Sequence, residues 1–348
     1  MSGHVERRVI NPATDAAWSE LVCGAGQDSL FVAPPWFRAV ANSYDLEPRA
    51  DLILEDGRPT AGIAYAEIDD PRGKRIVSFP FADYCDPVAA SPDAWATLIE
   101  PLVASGAPVS VKVLECEAPL HDERFEATRA LFWHRTAIAA DEDAQWSQLG
   151  GTARRNISKA RGNALEIERR SDLEALRAFY ELHTGVRKHK YRLLPQPWRF
   201  FEELHRQFGE RLQVLLARNG DEVAGGVVLF AWGDTLYYKF NASDPAHLEH
   251  RPNDLLAWET INLARALGLQ WLDWGVSDDD QPGLIRYKQK FATEERHATI
   301  ARTRAASVDP NAAHFGAVLG ELTALLTDER VPNDVTQRAG DLLYGYFG

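Results

Sequence analysis

The chain is poor in cysteine, has a single methionine, and contains no apolar run approaching the ~18 residues that a membrane-spanning helix needs. Its three cysteines, Cys23, Cys85 and Cys116, are odd in number and far apart, which argues against a disulfide framework and against a cysteine metal cluster. The opening residues, MSGHVERRVI, place charges where an export signal needs an apolar stretch, so a cytoplasmic protein is expected. No His-x-x-x-His pair, Cys-x-x-Cys pair, Walker loop or Gly-x-Ser-x-Gly elbow occurs. The ten histidines are scattered. Metal-dependent, NTP-hydrolysing and serine-hydrolase chemistry are therefore not expected, and no metal site or resident cofactor is predicted.

Positive charge is also short overall. A net charge of −13 argues against general affinity for nucleic acid. The deficit is uneven: residues 1–143 carry 12 basic and 24 acidic side chains, and residues 144–348 carry 26 and 27. Two basic segments, Arg154 to Arg161 and Arg187 to Arg192, stand in the second part. They are either solvated helix faces or places where a phosphate-bearing donor binds.

What is present suits a soluble globular protein of about two domains. The composition is 45% hydrophobic and 26% charged. In residues 1–143, strands are expected at Val5 to Ile10, Ala50 to Leu54, Thr60 to Ile68, Lys74 to Phe81, Val109 to Leu114 and Leu131 to Ile138. Helices are expected at Asp15 to Val22, Pro34 to Tyr44 and Pro92 to Ala104. After a junction helix capped by Thr152, residues 144–305 repeat the order: strand, two helices, three-strand meander, helix, strand. The remainder, 306–348, reads as a helical tail whose stripe of Leu319, Leu322, Leu325 and Leu326 is expected to pack on the body.

The most informative stretch runs from Trp271 to Phe291. A short strand ends at Asp273-Trp274-Gly275, an acidic loop follows, and a helix opens at Pro282-Gly283. Leu284, Tyr287, Lys288 and Phe291 share one face of that helix. A lysine on an apolar face must snorkel, pair or face a cleft. The meander ends in Tyr237-Tyr238-Lys239-Phe240-Asn241, where alternation sets Tyr237, Lys239 and Asn241 on one face and Tyr238 and Phe240 on the other. Lys239 then stands at an edge or in the cleft, and Asn253 is a plausible cap for the next helix.

Asp273-x-Gly275 followed by Gly283-Leu284-x-x-Tyr287-Lys288-x-x-Phe291 resembles the closing motif of FemAB-like transferases, a branch of the GNAT acyltransferase superfamily. Tyr287 stands where that pattern usually has Phe. Arg154-x-x-Ile157-x-Lys159-Ala160 resembles the same family at its domain junction, and so does the basic stretch before Pro195-Gln196-Pro197. The resemblance implies an α+β fold of tandem GNAT-like (acyl-CoA N-acyltransferase) domains, each a mixed sheet flanked by helices. It implies a first domain (1–143) on the acceptor side, a second (144–305) on the donor and catalytic side, and the tail.

The implied reaction is amide formation by an acyl- or aminoacyltransferase. Lys288, Tyr287 and Asp273 are implied as catalytic. Lys239, Asn241, Arg187, Lys188, Lys190, Arg251 and Asn253 are the donor-binding candidates. Asp83, Tyr84 and Asp86 are acceptor candidates, or the caps of a turn. The donor is a co-substrate, aminoacyl-tRNA or acyl-CoA or an acyl carrier protein. The acceptor is an amine-bearing small molecule, peptide or cell-envelope precursor. An acetyl-CoA enzyme of this superfamily holds pyrophosphate on a glycine-rich turn before a helix. Here that turn, His247 to Asn253, has no glycine, carries Glu249, and includes Pro252, which lacks an N–H. This favours aminoacyl-tRNA. The absence of a long coiled-coil insertion speaks the other way, and a binding module without chemistry is the third reading.

Overall fold

A computed structural model describes residues 4–163, 165–304 and 310–348, so the start of the tail at 305–309 lies outside the described residues. Two compact units result, neither continuous in sequence. One comprises Met1–Leu131, His297–Leu322 and Gly345–Gly348; the other comprises Phe132–Arg296 and Thr323–Tyr344.

The first unit begins with β1 (Val5–Ile10), α1 (Ala16–Gly24) and α2 (Pro34–Tyr44). The meander β2 (Pro48–Glu55), β3 (Arg58–Asp70) and β4 (Gly73–Val77) follows, then α3 (Pro92–Ala104), β5 (Val109–Val113) and α4 (Ala118–His121). Turn chemistry sets these joints. Asp56 and Gly57 both take positive φ between β2 and β3, and Ser91 caps α3 by accepting from the Ala94 N–H. The unit boundary falls inside β6 (Phe125–Ala137). The sheet order is β1-β2-β3-β4-β5, closed by β12 (Glu294–Thr303), a strand that arrives from far along the chain. All neighbours are antiparallel except β4 and β5. Ile53, Ile63, Tyr65, Trp95, Leu98 and Ile99 form the core between this sheet and α3.

The second unit holds α5 (Glu142–Gln148), α6 (Gly151–Gly162), β7 (Glu166–Arg170), α7 (Leu173–Gly185) and α8 (Trp198–Phe208). The meander β8 (Leu212–Asn219), β9 (Glu222–Trp232) and β10 (Thr235–Ser243) comes next, then α9 (Pro252–Ala266), β11 (Trp271–Ser277) and α10 (Pro282–Gln289). After β12 come α11 (Pro310–Leu326) and α12 (Asn333–Leu343). Its sheet runs β7-β8-β9-β10-β11 and is closed by β6; only β10 and β11 are parallel. Leu236, Tyr238, Leu272 and Trp274 pack under α6 and α9 against Ile157, Leu256 and Trp258. Rings of α7 and α8, including Phe179, Tyr180 and Phe201, gather on the other side around His183. Burial holds the His183 pKa down to about 3, so this histidine is a neutral core residue whose ring nitrogen meets Gln196.

Three local expectations are corrected. Thr152 is not the cap of α6: Gly150 is, without a side-chain bond, and Thr152 lies in the first turn. Asn253 does not cap α9 either, because Arg251 in the left-handed region does so and Pro252 begins the helix. The leucine stripe is only partly covered. Leu319 is buried but Leu325 is 67% exposed, and Thr323 and Thr327 take the inner positions.

Candidate active site

Parallel strands β10 and β11 are in register only over Thr235↔Trp271, Leu236↔Leu272 and Tyr237↔Asp273, although β10 runs on to Ser243 and β11 to Ser277. Both strands are irregular just there. β10 carries a bulge between Tyr238 and Phe240, and β11 one between Asp273 and Val276. Strands that part at their carboxyl ends leave the crevice in which open α/β sheets bind ligands.

The β10 bulge overturns the simple alternation. One extra residue, Lys239, flips the faces that follow it. Phe240 joins the ring cluster at Phe201 and His183, and Asn241 comes round to the Tyr238 side, donating to the Tyr238 hydroxyl at 2.9 Å. Lys239 is left half-buried in the bulge, its ammonium 5.9 Å from the Phe240 ring centre.

The β11 bulge is built by Asp273. Its carboxylate, 2% exposed, accepts from the Trp133 indole at 3.0 Å and from the Gly275 N–H at 2.6 Å. Gly275 has φ +66, a conformation costly for a side-chain-bearing residue, which explains the Asp-x-Gly spacing. The carbonyls of Gly275 and Val276 turn toward Lys288, whose ammonium donates to both at 2.9 Å. Lys288 is 5% exposed, so of the three expected fates of a lysine on this face it pairs, with backbone oxygens. A cation is thereby fixed where β11 has left β10.

Tyr287, the preceding residue, donates its enclosed hydroxyl to the Asn253 carbonyl at 2.9 Å. Burial drives the Tyr287 and Tyr238 phenols well above the ordinary range, so both remain protonated donors. The Asn253 side-chain oxygen accepts from Ser243 at 2.5 Å and from Asn241 at 3.2 Å. Lys290 forms an ion pair with the buried Asp254 in the first turn of α9. Tyr238, Ser243, Asp254, Lys290 and Trp133 were not singled out from sequence. Their only signal was polarity beside apolar neighbours, and their partners lie up to 140 residues away.

The other candidates lie elsewhere. Val186 to Lys190 forms a π-helical turn at the end of α7. Lys188 there is 1% exposed, and its ammonium is taken up by the Val331 carbonyl and by Asn333 Oδ1. Arg187 donates to the Leu194 carbonyl at 3.0 Å and stacks toward Tyr344. Lys190 is exposed, with its ammonium 5.0 Å from the Tyr191 ring. Arg251 is exposed at the head of α9.

In the first unit, Tyr84 is buried edge-on against Phe31, and Asp83 is half-buried. Asp86 is buried, with one oxygen accepting the N–H groups of Leu114, Glu115 and Cys116 at 2.8–2.9 Å. It serves the backbone of β5's exit rather than a ligand. Burial pushes its pKa up to about 6 despite those donors.

A folded-state value above the unfolded one means the folded state binds the proton more tightly. The associated stabilisation is present below about pH 4 and is lost as pH rises through 6, a loss of roughly 3 kcal/mol. Asp86→Asn keeps the acceptor and removes the titration. Its stability relative to the parent is expected to rise between pH 4 and 7, as measured by urea midpoints. A difference independent of pH would assign Asp86 an ordinary pKa.

Among the described residues, no group of three or more His, Cys, Asp or Glu side chains is placed to hold a metal. No helix among them is long and apolar enough to cross a membrane.

Residues 150–289 match the family described as an acetyltransferase (GNAT) domain. No curated protein matches the chain in sequence. Among solved structures it is similar to FemX at 14% identity, covering 90% of this chain and 99% of that one, with a TM-score of 0.65. It is also similar to the C-terminal domain of a putative lysylphosphatidylglycerol synthetase from Agrobacterium fabrum (15% identity, 87% and 95% covered, TM-score 0.55). A third likeness is to a tandem GNAT protein of the clavulanic acid biosynthesis pathway (10% identity, 88% and 100% covered, TM-score 0.52). The tandem sheets and these likenesses agree on the fold: residues 150–289 form a GNAT acetyltransferase domain, and the chain is folded in the manner of FemX and of the tandem GNAT protein.

Proposed function

We propose that the enzyme joins an aminoacyl group, delivered as aminoacyl-tRNA, to an amine acceptor. The amine nitrogen attacks the ester carbonyl carbon, the tetrahedral intermediate collapses, and the C–O bond to the donor breaks as the proton from nitrogen passes to the leaving oxygen. Lys288 supports this reading as a cation held at two carbonyls, able to face the developing oxyanion without reorganising. Tyr287 positions the helix that carries it, and Asp273 shapes the bulge on which it rests.

The observation that carries the donor assignment is the use made of the α9 N-terminus. In a phosphate-binding turn, backbone N–H groups and positive potential face the ligand. Here Pro252 has no N–H, Asp254 is tied to Lys290, and Asn253 is bound by Tyr287, Ser243 and Asn241. Such a first turn suits a donor that is not gripped by its pyrophosphate. Lys239, Asn241 and Arg251 remain as donor contacts, and Asp83 remains the acceptor-amine candidate in residues 1–143. Acyl-CoA or an acyl carrier protein is the alternative donor.

Thermal shift and native mass spectrometry with acetyl-CoA and with aminoacyl-tRNA, at two salt concentrations, test the assignment. Binding and transfer from aminoacyl-tRNA without acetyl-CoA binding is expected. Tight acetyl-CoA binding would overturn the donor assignment and leave the acyl-transfer reading standing.

A further inference from the structure

Among the described residues, helix α6 carries a strongly basic face that contains no carboxylate of its own. Residues 150–163 contain Arg154, Arg155, Lys159 and Arg161 and no acidic residue. Ala153, Ile157 and Ala160 bury the opposite side against the α9 core, which fixes the direction in which the basic side chains point. Arg161 is neutralised by Glu142 and Glu259, each at 3.6 Å. Arg154, Arg155 and Lys159 are exposed and have no ion pair among the described residues; Arg155 donates to Thr152 at 3.1 Å. In a chain of net charge −13, where arginines such as Arg49, Arg124 and Arg170 sit among carboxylates, a helix face of three unpaired cations is a selective feature.

The face leads toward the catalytic crevice. Asn163, which caps the C-terminal end of α6, donates to the His250 carbonyl at 3.5 Å. The next residue is Arg251, the exposed cap of α9. Arg251 thus adds a fourth exposed cation at the head of α9, beyond the neutralised Arg161 and near Glu249. Arg155 and Lys159 lie one helical turn apart, about 6 Å between Cβ atoms. A linear array of spaced cations complements an extended polyanion, whereas the compact charge of a CoA pyrophosphate needs a nest at one point.

We propose that the exposed face of α6 is a docking surface for the phosphate backbone of RNA, holding the body of the donor tRNA while its aminoacyl end enters the crevice. This inference rests on the donor assignment above. The partner is chosen over an acidic carrier protein because the face is basic without the apolar centre that a protein interface needs.

The test is the triple variant Arg154→Gln, Arg155→Gln, Lys159→Gln in the full chain, with fluorescein-labelled deacylated tRNA as probe across a salt series. The parent is expected to bind with a steep salt dependence. The variant is expected to bind about 10- to 100-fold more weakly, with the slope of log K against log salt reduced by two to three. Circular dichroism and Tm should match the parent, since all three side chains point to solvent. Parent binding with an unchanged variant would overturn the docking surface and leave the donor assignment standing. A parent that binds acetyl-CoA and not tRNA would overturn both. A variant that loses affinity for an acyl carrier protein, but not for tRNA, would overturn the RNA surface in favour of a protein one.

Discussion

Lys288→Met should lower kcat by roughly two to three orders of magnitude, the size expected for losing one preorganised charge at an oxyanion. Methionine keeps the length of the side chain and its packing on the helix face, so the change isolates the ammonium. The same substitution strips the Gly275 and Val276 carbonyls of their donor, at a cost of about 1–3 kcal/mol. The two effects separate in one experiment. Rates are normalised to folded protein by circular dichroism at the assay temperature, and KM for each substrate is measured alongside kcat. A large fall in kcat at near-constant KM supports the catalytic assignment. A lower Tm with normal turnover per folded molecule would make Lys288 a clamp on the bulge and nothing more.

Asp273→Ala is expected to be the more destructive change for stability. The carboxylate is enclosed and serves two buried donors, the Trp133 indole on β6 and the Gly275 N–H within the bulge. Removing it orphans both, which by the usual cost of unsatisfied buried donors comes to about 3–5 kcal/mol. It also releases Gly275 from its left-handed turn, so the carbonyls that hold Lys288 lose their aim. Urea unfolding should show the midpoint falling with little change in slope, and activity should fall with it. A variant as stable as the parent would mean that Asp273 is not the keystone of this bulge. Asp273→Asn is the informative companion, because it preserves one acceptor and must turn an amide donor toward either the indole or the peptide N–H.

Much of this arrangement is legible in the sequence. Local chemistry wrote the elements: Pro34, Pro92 and Pro282 open helices at the residues where they were expected, and Asp56-Gly57 turns the first meander. The closing motif located the break at Gly275 and the helix that carries Lys288, though not the bulge itself. What sequence could not supply was partnership. Lys188 and Asp86 looked available because each stands in a polar run, yet both are enclosed by segments distant in the chain, residues 331–333 and 114–116 respectively. The Lys239 bulge was equally invisible, since alternation assumes one residue per register position and a bulge inserts another. The two faces of β10 were read correctly up to Tyr238 and inverted beyond it.

The origin of the closing strands has a consequence for how the molecule can be divided. The first sheet is completed by β12, and the second by β6. Each unit thus borrows its last strand from the opposite side of the intervening sequence. A gene cut at the midpoint would yield two polypeptides that each lack a strand they need and display an open edge where it belongs. Co-expressed, such halves have a reason to find one another that neither has alone. The halves of this enzyme can diverge in sequence, but they must be inherited, synthesised and folded together.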